Sequence, residues 1–114
     1  MSPAEVDAFC RSLPHATMTV QWGADWVYKV GGKMFAVVGP EGGSMSFQAN
    51  DVAFEMLTDT GAAKPAPYMA RHKWVWLAHT SDLPAEDLQA YLRIAHELTV
   101  AKLTKKAQRE LGFA

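Results

Sequence analysis

The chain has 114 residues, of which 49% are hydrophobic and 20% are charged, a composition typical of one soluble globular domain and unlike that of a disordered or collagenous chain. Eleven Lys and Arg against twelve Asp and Glu give a formal net charge of −1, so the field of the whole molecule does not attract nucleic acid or an anionic membrane. The single cysteine, the lack of a signal-peptide pattern and the shortness of every apolar run indicate a cytoplasmic protein that does not enter a membrane.

The first helix is predicted at the N-terminus. Ser2, Pro3 and Glu5 have the spacing of a capping box with a proline at the first helical position, and Pro14 marks the end of the helix. The apolar stripe that this helix buries consists of Val6, Phe9, Cys10 and Leu13. Cys10 is therefore predicted to be a small core residue and not a reactive thiol.

Alternating apolar residues then predict a meander of short strands over residues 17–21, 26–30, 33–38 and 44–48. Gly31 and Gly32 separate the second and third of these strands, and both tolerate the positive φ that a two-residue hairpin turn requires. Asn50 is predicted to cap a short helix that follows the fourth strand.

The segment 64–77 joins prolines, cations and tryptophans. Its two prolines exclude a helix, and the alternation after them predicts a strand with Trp74 and Trp76 on one face and Val75 and Leu77 on the other. Two interpretations stay open for the tryptophan face, namely partial burial under a loop and a platform on which bases stack. The triplet at 71–73 is either a nucleic-acid contact or a set of solvated cations.

The last helix is predicted to open at Ser81–Pro84 and to pack on the sheet. Its apolar face contains Leu88, Tyr91, Leu92, Ala95, Leu98, Thr99 and Leu103. Four cations crowd the end of this segment, where they would complement the negative C-terminal end of a helix dipole: Lys102, Lys105, Lys106 and Arg109.

No pattern in the chain predicts catalysis, a metal site or a cofactor. The four histidines, His15, His72, His79 and His96, have no metal-ligand spacing. No Gly-x-Ser-x-Gly elbow is present, and the glycines lie between strands instead of opening a helix that would hold phosphate. We therefore expect a protein that is not an enzyme.

Three stretches resemble the MmcQ/YjbR family of small bacterial proteins: residues 30–36 at the central hairpin, 65–75 before the tryptophan strand, and 96–106 at the end of the last helix. The resemblance covers nearly the whole chain. It implies an α+β sandwich of the frataxin-like (CyaY-like) type, in which an antiparallel sheet is covered on one face by the N- and C-terminal helices. It also implies DNA binding of the kind described as double-wing, while the acidic ridge that binds iron in frataxins is represented here only by Glu5 and Asp7.

Two functions are weighed on these residues. DNA would be bound by two local patches, with a tryptophan available for stacking: Arg71, His72, Lys73, Trp74, Lys102, Lys105, Lys106 and Arg109. Alternatively, an aromatic groove would hold a small apolar ligand or another protein, and it would be lined by Trp22, Trp26, Tyr68 and Trp76. Both cationic clusters on one face would favour nucleic acid, and a deep aromatic cleft would favour the ligand.

Overall fold

The computed structural model describes residues 1–67 and 69–113, which form a six-stranded sheet and four α-helices. The elements, in chain order, are α1 (Pro3–Ser12), β1 (Thr17–Gln21), β2 (Asp25–Val30), β3 (Lys33–Gly39), β4 (Ser44–Gln48), α2 (Asp51–Asp59), β5 (Lys64–Pro65), β6 (Trp74–Leu77), α3 (Ala85–Lys102) and α4 (Lys105–Leu111). A single 3-10 turn, Ala70–His72, precedes β6.

The strands are ordered β1-β2-β3-β4-β6-β5, and every neighbouring pair is antiparallel. The first four strands form the predicted meander. The chain then passes through α2 and returns to add β6 beside β4, with the two-residue β5 at the outer edge. Pro65 has no N–H to give to a ladder, which suits it to this edge position.

The hydrophobic core lies between the sheet and the helices, so the predicted α+β architecture with one covered sheet face is confirmed. Val6 and Cys10 of α1 share one cluster of buried residues with Leu88, Leu92 and Ala95 of α3. The sheet contributes Tyr28, Val30, Phe35, Ala36, Val38, Met45, Phe47, Val75 and Leu77 to it. We call the opposite side of the sheet the open face.

The predicted helix caps are present. Ser2 Oγ accepts the N–H of Glu5 at 3.1 Å, while Glu5 Oε1 accepts the N–H of Ser2 at 2.9 Å. Asn50 Oδ1 accepts the N–H of Ala53 at 2.8 Å at the start of α2. Each cap satisfies backbone donors that the first turn leaves without partners, which is why these helices begin where the sequence predicts.

The hairpin between β2 and β3 has the predicted two-residue turn. Val30 pairs with Lys33, and Gly31 and Gly32 have φ of +58° and +81°. A Cβ atom on Gly31 would lie 2.7 Å from Leu103 Cδ1, whereas one on Gly32 would meet nothing within 4 Å. Glycine is therefore required at position 31 for two reasons, the positive φ and the close approach of Leu103.

The last helix ends earlier than predicted, and the prediction of one helix through Leu103 is wrong. Leu103 is extended and buried against the hairpin, and Thr104 Oγ1 then accepts the N–H of Ala107 at 3.1 Å to cap the new helix α4. Gln108 Nε2 donates to the carbonyls of Val100 and Leu103, both at 3.1 Å. The chain breaks because these bonds satisfy the carbonyls that α3 leaves free.

The break moves part of the basic cluster to the other end of a helix. Lys105 and Lys106 are the first residues of α4, at its positive end, and they do not complement a C-terminal dipole as predicted. On α3, His96 is more deeply buried than the predicted Leu98, because its Nε2 bonds to the Pro14 carbonyl at 2.7 Å and its ring packs on Phe35.

We expect Gly31→Ala to destabilise the protein more than Gly32→Ala. Both substitutions place a side chain at positive φ, which costs roughly 1 kcal/mol, but only the first also displaces Leu103, a packing change that adds roughly 1–3 kcal/mol. Chemical denaturation of the two variants measures the difference. Equal losses would contradict the tight contact with Leu103, and unchanged midpoints for both would place the turn elsewhere.

Candidate functional site

A groove of about 420 Å³ crosses the open face of the sheet. Val37 of β3 and Ser46 of β4 form its floor, since these neighbours in register have side chains on the face away from the core. The walls come from the β1–β2 turn on one side and from the segment before β6 on the other. The lining residues are Trp22, Asp25, Met34, Val37, Ser46, Ala66, Pro67, Met69 and Trp74. We call this cavity the tryptophan groove.

Trp22 forms one wall of the groove at a conformational cost. It lies in the β1–β2 turn with φ of +51°, a region that bulky side chains rarely adopt, and its side chain is 65% exposed. Such strain costs roughly 1–3 kcal/mol and accumulates at functional sites, where the surrounding structure maintains it. An exposed indole ring gives the fold little stabilisation in return, which makes Trp22 a candidate site residue.

Trp74 forms the opposite wall together with Ala66, Pro67 and Met69, and it is only 4% exposed. The N–H of Ala66 bonds to the Trp74 carbonyl at 3.0 Å, which fixes Ala66 against β6. Trp76, two residues on, is half-buried and lines a smaller adjoining pocket with Asp25 and Ser46. Partial burial, the first of the two interpretations of this face, describes Trp76, whereas Trp74 is buried more completely than predicted.

A second pocket, of about 200 Å³, adjoins the groove at the end of the sheet where β3 and β6 begin and β4 ends. Lys33, His72 and Lys102 line it, and they come from β3, the 3-10 turn and α3. The other lining residues are Met34, Gln48, Met69, Trp74 and Thr99, with no carboxylate among them. This cationic pocket joins the two predicted basic clusters through His72 and Lys102.

The inner wall of the cationic pocket is polar and buried. Thr99 is 1% exposed and donates from Oγ1 to the Ala95 carbonyl at 2.9 Å, with Gln48 Oε1 farther off at 3.4 Å. Gln48 is 6% exposed, and its amide nitrogen has no hydrogen-bond partner among residues 1–67 and 69–113. Gln48 is one of the residues that line the pocket.

The remaining predicted cations lie apart from both cavities. The Lys73 ammonium lies 5.0 Å from the centre of the Phe54 ring on α2, a cation–π contact, and Lys73 itself has φ of +64°. Arg71 reaches the pocket only indirectly, since its Nε donates to His72 Nε2 at 3.3 Å. Lys105, Lys106 and Arg109 are exposed on α4 and line neither cavity.

The predicted aromatic groove is assembled only in part. Trp22 and Trp76 lie on the open face, but Trp26 packs against the core on the helix side, because it pairs with the core residue Val38. Tyr68 lies outside the described residues. Trp26 and Trp22 are separated by one turn, and the face of a residue in such a turn does not follow from strand alternation.

Lys33, Gln48 and Thr99 are the site residues that sequence reasoning did not single out. Lys33 follows the glycine turn and resembles any solvated strand residue, while Gln48 and Thr99 fit a strand end and an apolar helix stripe. The predicted hairpin indicated the position of Lys33, since a two-residue turn fixes Lys33 at the end of the sheet. That Lys33 lies in one pocket with Lys102 depends on the path of α3 over that end.

A cavity of about 440 Å³ also lies on the helix side, between the end of α1, α3 and Phe113. Its wall is mostly apolar, and its charged pair, Arg93 and Glu97, contains both signs. His96 lines it but is accounted for by its bond to Pro14 and its ring contacts with Phe35 and Phe113. This cavity brings together none of the residues predicted to bind a partner.

Two groups of residues that resemble catalytic nucleophiles or acid–base pairs, Cys10 and the turn at residues 79–82, have structural roles. Burial raises the pKa of the Cys10 thiol to about 12, with a smaller contribution from the charge of Asp7. His79 and Ser81 bond to each other at 2.7 Å, while Asp82 accepts the backbone N–H of His79 at 3.0 Å and not its ring. These residues form a local turn and not a relay of the Ser-His-Asp type.

Among residues 1–67 and 69–113, no group of three or more His, Cys, Asp and Glu side chains is arranged to hold a metal ion. Within the same part of the chain, no helix combines the length and the apolar character needed to cross a membrane.

Comparison with known proteins places the chain in a family. The family model described as YjbR matches residues 11–98, and the chain belongs to that family. A crystal structure of the Deinococcus radiodurans protein DR2400, which contains a DUF419 domain, superposes with a TM-score of 0.87 at 24% sequence identity, over 99% of this chain and 89% of that one. This likeness confirms the fold. No curated protein matches the chain.

Slow labelling is expected for Cys10 with a thiol reagent in the folded protein. Its raised pKa means that the neutral thiol is retained as the pH rises through 9.0, the ordinary value, toward about 12. Reaction should therefore stay slow at pH 9 and become fast when denaturant is added, as followed by absorbance of the released chromophore. Rapid labelling without denaturant would show that Cys10 is accessible and reactive.

Proposed function

We propose that the protein is a non-enzymatic binding module that holds single-stranded nucleic acid along the open face of its sheet. The observation that carries the proposal is the continuity of the two cavities, which share Met34, Met69 and Trp74. One cavity offers an exposed indole ring, and the other offers the ammonium groups of Lys33 and Lys102 beside the His72 ring. Stacking of bases on aromatic rings and neutralisation of phosphates are the contacts by which proteins hold single strands.

A single strand suits this site better than a duplex does. Trp22 can stack only on a base whose face is free, and the faces of paired bases are covered within a helix. A duplex would need cations spread over a broad surface, whereas the net charge is −1 and the two lysines meet in a recess of about 200 Å³. Lys105, Lys106 and Arg109, which a duplex would use, lie outside the groove.

Further cations flank the groove on the open face. Lys29 is opposite Met34 in the β2–β3 ladder, and Lys64 is opposite Trp76 in the β5–β6 ladder. Residues in register have side chains on the same face, so both lysines border the surface over which a backbone would run. Each adds a phosphate contact without changing the groove floor.

The second candidate is an apolar small ligand or a peptide in the tryptophan groove. Met34, Val37, Ala66 and Pro67 give the groove an apolar lining that favours this reading. It predicts binding that does not weaken as salt rises, in contrast to nucleic acid. A cytoplasmic location is proposed for either function, since the lone Cys10 forms no intramolecular disulfide.

Single-stranded oligonucleotide binding should depend on the lysines of the cationic pocket. In the variant with Lys33→Gln and Lys102→Gln, the slope of log affinity against log salt should flatten by about 0.7 for each lysine. The matched control carries Lys105→Gln and Lys106→Gln, equally exposed cations outside the groove. Fluorescence anisotropy with labelled single-stranded and duplex oligonucleotides measures these slopes.

Failure of the wild-type protein to bind single strands at low ionic strength would overturn the nucleic-acid proposal. If the protein prefers duplex, and if Lys105→Gln with Lys106→Gln weakens that binding while Lys33→Gln with Lys102→Gln does not, the nucleic-acid contact would lie on α4. Binding of hydrophobic probes in the groove without salt dependence would favour the apolar ligand.

Trp22→Asn should separate binding from stability. Asparagine accepts positive φ more readily than tryptophan does, so the free energy of unfolding should stay constant or rise slightly. Loss of one stacking partner should weaken single-strand binding by roughly 5- to 100-fold, in line with the 1–3 kcal/mol that a stacked base contributes. Thermal denaturation and anisotropy measure the two effects. Unchanged affinity would remove Trp22 from the site.

A further inference from the structure

We infer that the cationic pocket is a site for a terminal phosphate monoester, so that a strand is held by its phosphorylated end. This inference rests on the proposed function, since the base next to that phosphate would occupy the tryptophan groove. The chemistry required is a doubly ionised phosphate attached to a ring system, which is present both at the end of an oligonucleotide and in a nucleoside monophosphate.

The charge of the pocket matches a monoester. The ammonium groups of Lys33 and Lys102 meet beside His72, and none of the described residues that line the pocket is a carboxylate that would neutralise the two lysines. A phosphate monoester carries about −1.5 to −2 at pH 7, against −1 for an internal diester. Its extra charge and extra free oxygen strengthen the bonds from charged donors. The pocket therefore favours the end of a strand over its interior.

The buried wall adds a neutral donor. Gln48 lines the pocket and is more than nine-tenths buried, and its amide nitrogen has no partner among the described residues. Removing an unpaired donor of this kind from water is unfavourable unless a ligand accepts its hydrogen bond. A phosphate oxygen accepts such a bond, and the cations beside the amide would hold the phosphate there.

The charges along the groove are asymmetric. Asp25 lines the groove near Trp22, at the end opposite the cationic pocket. The strand β3 runs between the two ends from Lys33 to Gly39, about 20 Å at roughly 3.4 Å per residue. A ligand with its highest negative charge at one end matches this arrangement better than an evenly charged strand does, because Asp25 repels a phosphate at the far end.

The end of α3 does not oppose an anion as strongly as a bare helix C-terminus would. The negative end of the helix dipole lies beside Lys102, but Gln108 Nε2 donates to the carbonyls of Val100 and Leu103 there. Lys102 itself is the last residue of α3 and offsets the remaining partial charge. The pocket thus keeps a positive potential at a helix end that is ordinarily negative.

The test compares three oligonucleotides of one sequence, with a 5′-phosphate, with a 3′-phosphate, and with hydroxyl groups at both ends. We expect one phosphorylated form to bind about tenfold more tightly than the hydroxyl form, the size of change that one added charged contact produces. Lys33→Gln and Lys102→Gln should each remove this preference, and Lys105→Gln should retain it. Gln48→Glu, which places a carboxylate in the pocket, should also remove it.

The arms of the test separate this inference from the proposed function. Tight binding with no preference among the three ends would overturn the inference and leave single-strand binding standing. Binding of a nucleoside monophosphate that is competed by inorganic phosphate, without oligonucleotide binding, would overturn the proposed function and retain the phosphate site. Binding of none of these probes would overturn both. If Gln48→Glu does not fold, the exposed lysine variants decide.

Discussion

The contact between Gly31 and Leu103 is the constraint on which the site depends. The two-residue turn brings β2 directly into β3, so Lys33 lies at the end of the sheet. Leu103 occupies the space that a side chain on Gly31 would fill, which fixes the end of α3 beside the same turn. Lys102 immediately precedes Leu103 and is thereby held near Lys33. A single glycine thus brings together two lysines that are far apart in sequence.

Local signals predicted the fold well, because each was satisfied by neighbours in sequence. The capping box at Ser2 and the glycine turn depend on residues within three positions of each other. The break in the last helix was missed because Leu103 fits the apolar stripe of α3. Its contact with Gly31 across the molecule, together with the bonds from Gln108, favours the extended conformation. The site residues were predicted less well for the same reason, because tertiary contacts decide which residues line the cavities. Such contacts place Lys33 in the cationic pocket and Trp26 against the core.

For binding an anion, the distribution of charge over the molecule matters more than the net charge. A net charge of −1 gives little long-range attraction to an anion. Within the cationic pocket, however, Lys33 and Lys102 face a recess whose described lining residues include no carboxylate. The three cations of α4 lie closer together in sequence, but they line neither cavity, and Lys106 already has Glu110 at 3.9 Å. Clustering in sequence was therefore a poor guide to clustering in space.

The open face explains how this small fold can carry a binding site without weakening its core. The buried cluster lies between the sheet and the helices, and Val37 and Ser46 face away from it. Substitutions in the groove therefore remove few core contacts, whereas substitutions on the other side of the same strands create cavities. Strain at Trp22 is tolerated for the same reason, since the turn that holds it is anchored by the β1–β2 ladder and not by the core. Stability and the proposed binding are thus assigned to opposite faces of one sheet, so the fold should persist when the groove is changed.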